Sequence, residues 1–144
     1  MLSKTCEYAI RACIFIAKKS REHQKVCLKD IADYIGSPVA FTAKILQQLS
    51  RNHLLESAKG PNGGFIFNEE KLQNLTLSDI VHTIDGKEIY NRCVLGLENC
   101  SEQRPCPLHT EFKTIRAEIR LLLMNTKVTD LSEDLTQGKG FLRS

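Results

Sequence analysis

Between Ile35 and Val39 the chain reads Gly-Ser-Pro, and these three residues both stop one apolar-striped segment and start another. Before the break, Leu28, Ile31, Ala32 and Ile35 recur at the three- and four-residue steps of a short helix with one buried face. Gly36 ends it, because glycine enters the left-handed C-cap conformation without steric cost. After the break, Ser37 is placed to cap the next helix through its hydroxyl, and Pro38 to take the first helical position, where its missing N–H costs nothing. Thr42, Ile45, Leu46 and Leu49 then face inward and leave Phe41, Lys44, Gln48 and Arg51 on or near the outer face. Two helices joined by a short turn, the second carrying basic and amide groups outward, form the helix-turn-helix arrangement whose second helix enters the major groove of DNA. Any three-helix bundle can produce that much, so the pattern needs support from its neighbours.

The support comes from both sides. Upstream, Cys6, Ala9, Ile10, Cys13, Ile14 and Ala17 mark a first helix with one apolar stripe, on which Cys6 and Cys13 read as small buried hydrophobes. Downstream, LLESAKGPNGGFIF reads as two short strands joined by a six-residue loop, Lys59 to Gly64, in which glycine and asparagine supply the backbone freedom a hairpin needs. Three helices and a hairpin make a winged helix. Lys59 at the base of the wing loop, Gly60 and Pro61 beside it, with Ser37, Phe41, Lys44 and Gln48, are the candidate DNA contacts; small wing residues let backbone approach phosphate or enter the narrow minor groove. The alternative is an ordinary hairpin that happens to carry a lysine.

Charge agrees with a polyanionic partner. The net +3 divides into +5 over residues 1–60, with ten Lys/Arg against five Asp/Glu, and −2 over the remainder. At 144 residues, 42% hydrophobic and 26% charged, the chain can bury a real core without disulfides. No stretch approaches the ~18 apolar residues of a membrane span, and the N-terminal residues lack a signal-peptide core, so the expectation is a cytoplasmic protein with no membrane partner. In a reducing compartment, six cysteines point to metal or redox chemistry.

Beyond the wing, residues 69–75 read as polar connection. Thr76 and Asp79 then form a capping box for a helix striped by Leu77, Ile80, Val81 and Ile84 and closed by Gly86. His23, His53 and His82 carry no assigned chemistry. Leu108, Phe112, Ile115, Ile119 and Leu122 follow a 3.5-residue repeat, the mark of a helix that pairs along a narrow seam. The same helix of a second subunit in a twofold homodimer is the natural partner for residues 110–126, with packing across its own domain as the alternative. The tail from Lys127 is expected to hold a short capped helix around Leu131 and Leu135 and a mobile Gly-rich end. The fold class is thus mainly α with a small β-hairpin: a winged helix-turn-helix over 1–86, a cysteine-rich loop over 87–109, and a dimerisation helix and tail over 110–144.

That loop packs Cys93, Cys100, Cys106 and His109 into seventeen residues. The gaps of six and five residues are wider than the knuckles that grip structural zinc and suit a larger object, such as an iron-sulfur cluster with thiolate ligands. Three cysteines leave one position open, which His109 or a carboxylate from elsewhere can fill. Zinc in a Cys3His site is the alternative metal, and a metal-free thiol sensor forming disulfides among the same cysteines is the alternative chemistry. An electron carrier or enzyme is disfavoured: the sequence has no Gly-rich nucleotide loop, no second cluster motif and no nucleophile-base pair that spacing supports.

The segments EYAIRACIFIA, IADYIGSPVAFTAKILQQL, KGPNGGF and LSDIVHTIDG, with the three cysteines ending in PCPLH, resemble the family of winged-helix transcription regulators that includes IscR and NsrR, over roughly residues 1–126. The resemblance implies a homodimer on a palindromic double-stranded operator, with an iron-sulfur cluster, 2Fe-2S or 4Fe-4S, controlling DNA affinity in response to redox state, nitric oxide or cluster supply. It places Cys93, Cys100 and Cys106 at the cluster cysteines, His109 at the completing histidine, and Lys59 and Gly60 at the minor-groove wing. Glu7 matches an acidic residue that in some relatives reaches across the dimer to the partner's cluster, and is the alternative fourth ligand. Pro38, Ala40, Phe41 and Ala43 stand where relatives often present polar base-reading side chains, so thymine methyls or DNA shape are the expected targets here.

Overall fold

The computed structural model describes residues 1–143. Seven α-helices and one hairpin follow in order: α1 Lys4–Arg21, α2 Leu28–Ile35, α3 Val39–Arg51, β1 Glu56–Ala58, β2 Gly64–Ile66, α4 Glu69–Asn74, α5 Leu77–Asp85, α6 His109–Asn125 and α7 Val128–Thr136. This is the expected mainly helical winged helix with a long helix near its end.

Helix α1 forms the centre. Ser3 caps it by accepting the Cys6 N–H at 3.0 Å, and Asp85 holds Ser3 in turn through the Ser3 N–H and hydroxyl, pinning the start of α1 to the end of α5. The sequence predicts one apolar stripe, but residues 12–17 are buried on every side, Ala12, Phe15 and Ile16 included. The reason is α7, which packs along α1 and buries Val128, with Leu131 and Leu135 packed against the same core. Backbone bonds from Leu77 to the Thr126 carbonyl and from Val128 to the Leu75 carbonyl, both 3.0 Å, fix where α7 begins. The residues after α7 are placed as well: Leu142 packs against the core, and Arg143 donates to the Asp33 carbonyl at 2.9 Å, where a mobile end was expected. Lys127, the residue before α7, makes no side-chain cap.

The helix-turn-helix break differs in detail from its sequence signals. Gly36 adopts the left-handed C-cap (φ 68°), but the following Ser37 N–H also folds back onto the Ala32 carbonyl at 3.0 Å. Ser37 therefore belongs to the closure of α2, and its buried hydroxyl has no partner. The cap position falls to Pro38, whose extended ψ of 138° delays α3 to Val39 and whose carbonyl receives both the Thr42 N–H and the Thr42 hydroxyl at 2.9 Å.

In the wing, Ala58 pairs with Gly64, so the loop is five residues, 59–63, and Gly64 already lies in β2. A turn closed by Gly63 N–H to the Gly60 carbonyl at 2.9 Å brings the chain so close that a Cβ at position 63 would sit 2.2 Å from the Ala58 carbonyl oxygen. Val26 adds a one-residue bridge to Phe65, through bonds of 3.0 and 2.8 Å. Residues 69–74, read as connection, form α4 because Asn68 caps the Lys71 N–H at 2.9 Å and two glutamates fill the first turn. The Thr76–Asp79 capping box on α5 is present as expected. Among the described residues, no helix is long and apolar enough to cross a membrane.

Candidate nucleic-acid interface and cysteine site

Helix α3 presents Val39, Ala40, Lys44, Gln47 and Arg51 to solvent. The steps of four, three and four from Ala40 to Arg51 mark a single stripe, and Gln47 is the member that sequence reading passed over. Phe41 and Gln48 lie on its flanks and serve the chain itself. Phe41 packs edge-on against Tyr8 with ring centroids 5.7 Å apart, and the Gln48 amide donates to the Thr83 carbonyl at 3.1 Å. Ser37 is nearly enclosed, at 9% exposure. Lys59, Gly60 and Pro61 are all exposed at the wing tip. The free face is thus a short apolar start to α3, then lysine, amide and arginine, with one lysine on the wing.

The cysteine segment is irregular apart from one turn of 3-10 helix, Glu88–Tyr90. Its base is held by Tyr90, whose hydroxyl meets His82 Nε2 at 3.2 Å while its ring lies beneath the Arg120 guanidinium at 5.5 Å. The chain then returns to the start of α6, where the His109 N–H donates to the Cys106 carbonyl at 3.0 Å. All four predicted donors gather here, as two pairs. Cys93 and Cys106 stand 3.8 Å apart Sγ to Sγ, and Cys100 Sγ lies 3.3 Å from His109 Nδ1. Among the described residues, no three His, Cys, Asp or Glu side chains close on a single ion. His109 Nε2 is buried and has no hydrogen-bond partner.

Arg116, about two turns along α6 from His109, was not singled out by sequence. It is 9% exposed, donates from Nη1 to the Arg92 carbonyl at 2.8 Å, and puts Nη2 3.3 Å from Cys100 Sγ. A cavity of about 500 Å³ opens beside it, lined by Tyr90, Cys100, His109, Lys113, Arg116 and Arg120 among others. The Cys93 thiol is held below its ordinary range, chiefly by the Leu97 backbone N–H, with Leu95, Cys106 and Arg116 adding to it against the effect of burial. Cys6 and Cys13 behave oppositely: burial first, then Asp85, pushes the Cys6 thiol up to about 12, and burial raises Cys13 as well. The alternative ligand, Glu7, pairs with Lys4 on its own helix at 3.0 Å and is not part of the cavity lining.

Helix α6 divides its predicted seam. Ile119 packs with Cys6, Val81 and Leu123, whereas Leu108, Ile115 and Leu122 stay outward, joined by Leu121 and Met124. Leu122, in the last turn of α6, is 62% exposed, and with Ile115, Leu121 and Met124 it makes a run of exposed apolar side chains on one helix.

Comparison with known proteins gives a consistent picture. Residues 2–134 match the sequence profile of Rrf2, described as an iron-dependent transcriptional regulator. A protein assigned as an HTH-type transcriptional regulator in Aquifex aeolicus (strain VF5) is 30% identical over 133 residues, covering 91% of this chain and 90% of that protein. The HTH-type transcriptional regulator IscR of Serratia proteamaculans is 25% identical over 130 residues, 90% of this chain and 77% of that one. Among solved structures, CymR, the global cysteine regulator of B. subtilis, superposes with a TM-score of 0.74 at 24% identity, covering 92% of this chain and 96% of that one. T. potens IscR gives 0.73 at 18% identity, with 97% and 91% covered. These structural likenesses speak to the fold.

Proposed function

Since the chain belongs to the Rrf2 family of transcriptional regulators, we propose that it is a homodimeric DNA-binding regulator whose operator affinity is set by an iron-sulfur cluster held by Cys93, Cys100, Cys106 and His109. The observation that carries the cluster reading is the arrangement of the four donors as two pairs, Cys93 with Cys106 and Cys100 with His109 Nδ1, together with a His109 Nε2 that is buried without a partner. An orphaned buried nitrogen costs about 1–3 kcal/mol, and a ligand bond would remove that cost. Two pairs fit a multi-iron cluster better than one zinc ion, which needs four donors around a single point. When bound, such a cluster supplies redox chemistry and reactivity toward small oxidants.

The chain's own residues supply the rest. Lys44, Gln47 and Arg51 on α3 face the major groove, Val39 and Ala40 offer apolar contact to thymine methyls, and Lys59, Gly60 and Pro61 bring the wing to the backbone or minor groove. The outward Ile115, Leu121, Leu122 and Met124 face a second copy, and since α6 begins at His109, the same helix joins the dimer seam to the cysteine site. A change at the cysteines thereby reaches the spacing of the two recognition helices.

The Cys93–Cys106 separation of 3.8 Å favours one second reading, a cluster-free thiol sensor that closes this pair into a disulfide. Anaerobic purification decides. Visible absorption with iron and acid-labile sulfide, and operator binding that changes when they are removed, is the expected result; colourless protein with a Cys93–Cys106 disulfide after oxidation would establish the second reading.

A further inference from the structure

A guanidinium almost wholly out of water ordinarily has a carboxylate beside it, because burying an uncompensated charge is costly. Arg116 does not. The ion pairs among the described residues are Lys4–Glu7, Arg21–Glu133 and Lys113–Glu102. Glu102, which lines the same cavity, is committed to Lys113, and that partner holds its carboxyl below the usual range. The contacts of Arg116 are a backbone carbonyl, that of Arg92, and a sulfur, that of Cys100. Its neighbours along the cavity, Lys113 and Arg120, are cationic too. The pocket is therefore short of negative charge, at a point where one N–H edge of the guanidinium meets the sulfur of a proposed ligand.

We propose that Arg116 is the positioning residue of the cysteine site: it carries the positive charge that a thiolate-ligated cluster requires and donates an N–H···S hydrogen bond to Cys100, while its second arm ties the loop at Arg92 to α6. The inference rests on the cluster reading above and adds to it the group that sets the cluster's potential and lifetime. Hydrogen bonds to ligating sulfur and nearby positive charge both favour the reduced, more negative state, so they raise the reduction potential. The fork of arginine is needed for the two-armed contact; the single ammonium of lysine keeps the charge but cannot span the Arg92 oxygen and the Cys100 sulfur together.

The test compares wild type with Arg116→Lys, Arg116→Gln and Arg116→Leu as full-length protein, each with its cluster and after removal of the cluster by a chelator. In the loaded form, Gln and Leu should lower the midpoint potential and shorten cluster lifetime in air about tenfold. Lys should recover the potential in part but not the lifetime. In the cluster-free form, Arg116→Leu should have a urea midpoint equal to or above wild type, since it removes a buried cation that has no counter-charge there. A merely structural arginine gives the opposite pattern, a lowered midpoint in the cluster-free protein and an unchanged potential in the loaded one, and that result overturns the proposal. Wild type that takes up no iron and sulfide overturns the cluster reading, and this inference with it; wild type that loads normally beside variants of unaltered potential overturns this inference alone.

Discussion

The side-chain amide of Gln48 donates to the backbone carbonyl of Thr83 at 3.1 Å, so a residue near the outer side of α3 binds α5 and is turned away from the exposed stripe. Its neighbour Gln47 is exposed on that stripe. The two adjacent glutamines should therefore separate stability from recognition. Gln48→Ala should lower unfolding free energy by about 1 kcal/mol and leave DNA selectivity nearly intact. Gln47→Ala should leave the urea midpoint unchanged and weaken or relax operator binding. Measuring both quantities for both variants checks the assignment, and a swapped pattern would rule it out.

Binding to duplex DNA should weaken steeply with salt, the slope of log affinity against log salt being about −0.9 for each phosphate neutralised. Lys59 is exposed on the wing, away from the core. Lys59→Ala should reduce that slope by about one phosphate equivalent and lower affinity on all sequences alike, whereas Lys44→Ala, on the recognition helix, should also change sequence preference. Titrations at several salt concentrations, on operator and on unrelated duplex, distinguish the two.

What the sequence made readable was whatever local chemistry decides. The apolar steps of α2, α3 and α5, the Gly36 stop and the Thr76–Asp79 box needed no knowledge of the rest of the chain. Ser37 was misread because two local rules competed for it, and closure of α2 onto the Ala32 carbonyl prevailed over capping of α3. Gln47 was missed because the helix phase at a flank is uncertain by a residue, and only the Thr83 carbonyl decides which glutamine turns in. Residues 131 and 135 announced an amphipathic helix but not which surface it covers; that depends on α1 being apolar all round, as residues 12–17 show. Arg116 was invisible for the same reason, since an arginine on a long helix becomes buried only when the cysteine loop folds over it.

The buried thiols of α1 predict a loss of stability at alkaline pH. Cys6 titrates near 12 in the folded protein, above its ordinary value near 9, so between these values the unfolded chain releases a proton that the folded chain retains. Stability is then fully present below about pH 9 and falls as pH rises, at a limiting slope of about 1.4 kcal/mol per pH unit for each such thiol. Cys13, also raised, adds in the same direction. Urea unfolding from pH 8 to pH 10.5 should show the decline, and Cys6→Ala should flatten it. Neither thiol should react with iodoacetamide at pH 8 in the native state, whereas the exposed Cys27 should.

Leu122 and Ile115 project from α6 one above the other, seven residues apart and both exposed. If this face joins two copies, Leu122→Glu should convert a dimer to a monomer in sedimentation velocity while leaving the helical circular dichroism of the chain unchanged, because no intrachain packing is lost. DNA affinity should fall at least about tenfold, since each monomer then binds a half-site without its partner. An unaltered dimer would move the interface to another surface.

If Cys93, Cys100 and Cys106 hold the proposed cluster, loss of any one of them to serine should abolish or destabilise it with helical content preserved, whereas Cys6→Ser or Cys13→Ser should act through packing. The fourth position is the finer question, with His109 and Glu7 as the two candidates. His109 sits at the first residue of α6, with Nδ1 3.3 Å from Cys100 Sγ and Nε2 buried and free to bind. Glu7 is on another helix and paired with Lys4 at 3.0 Å, so it could serve only by leaving that pair. His109→Ala should therefore shift the visible spectrum and shorten cluster lifetime, and imidazole added to this variant should partly restore both. Glu7→Ala should leave the spectrum unchanged. A shifted spectrum for Glu7→Ala beside an unshifted one for His109→Ala would reassign the ligand.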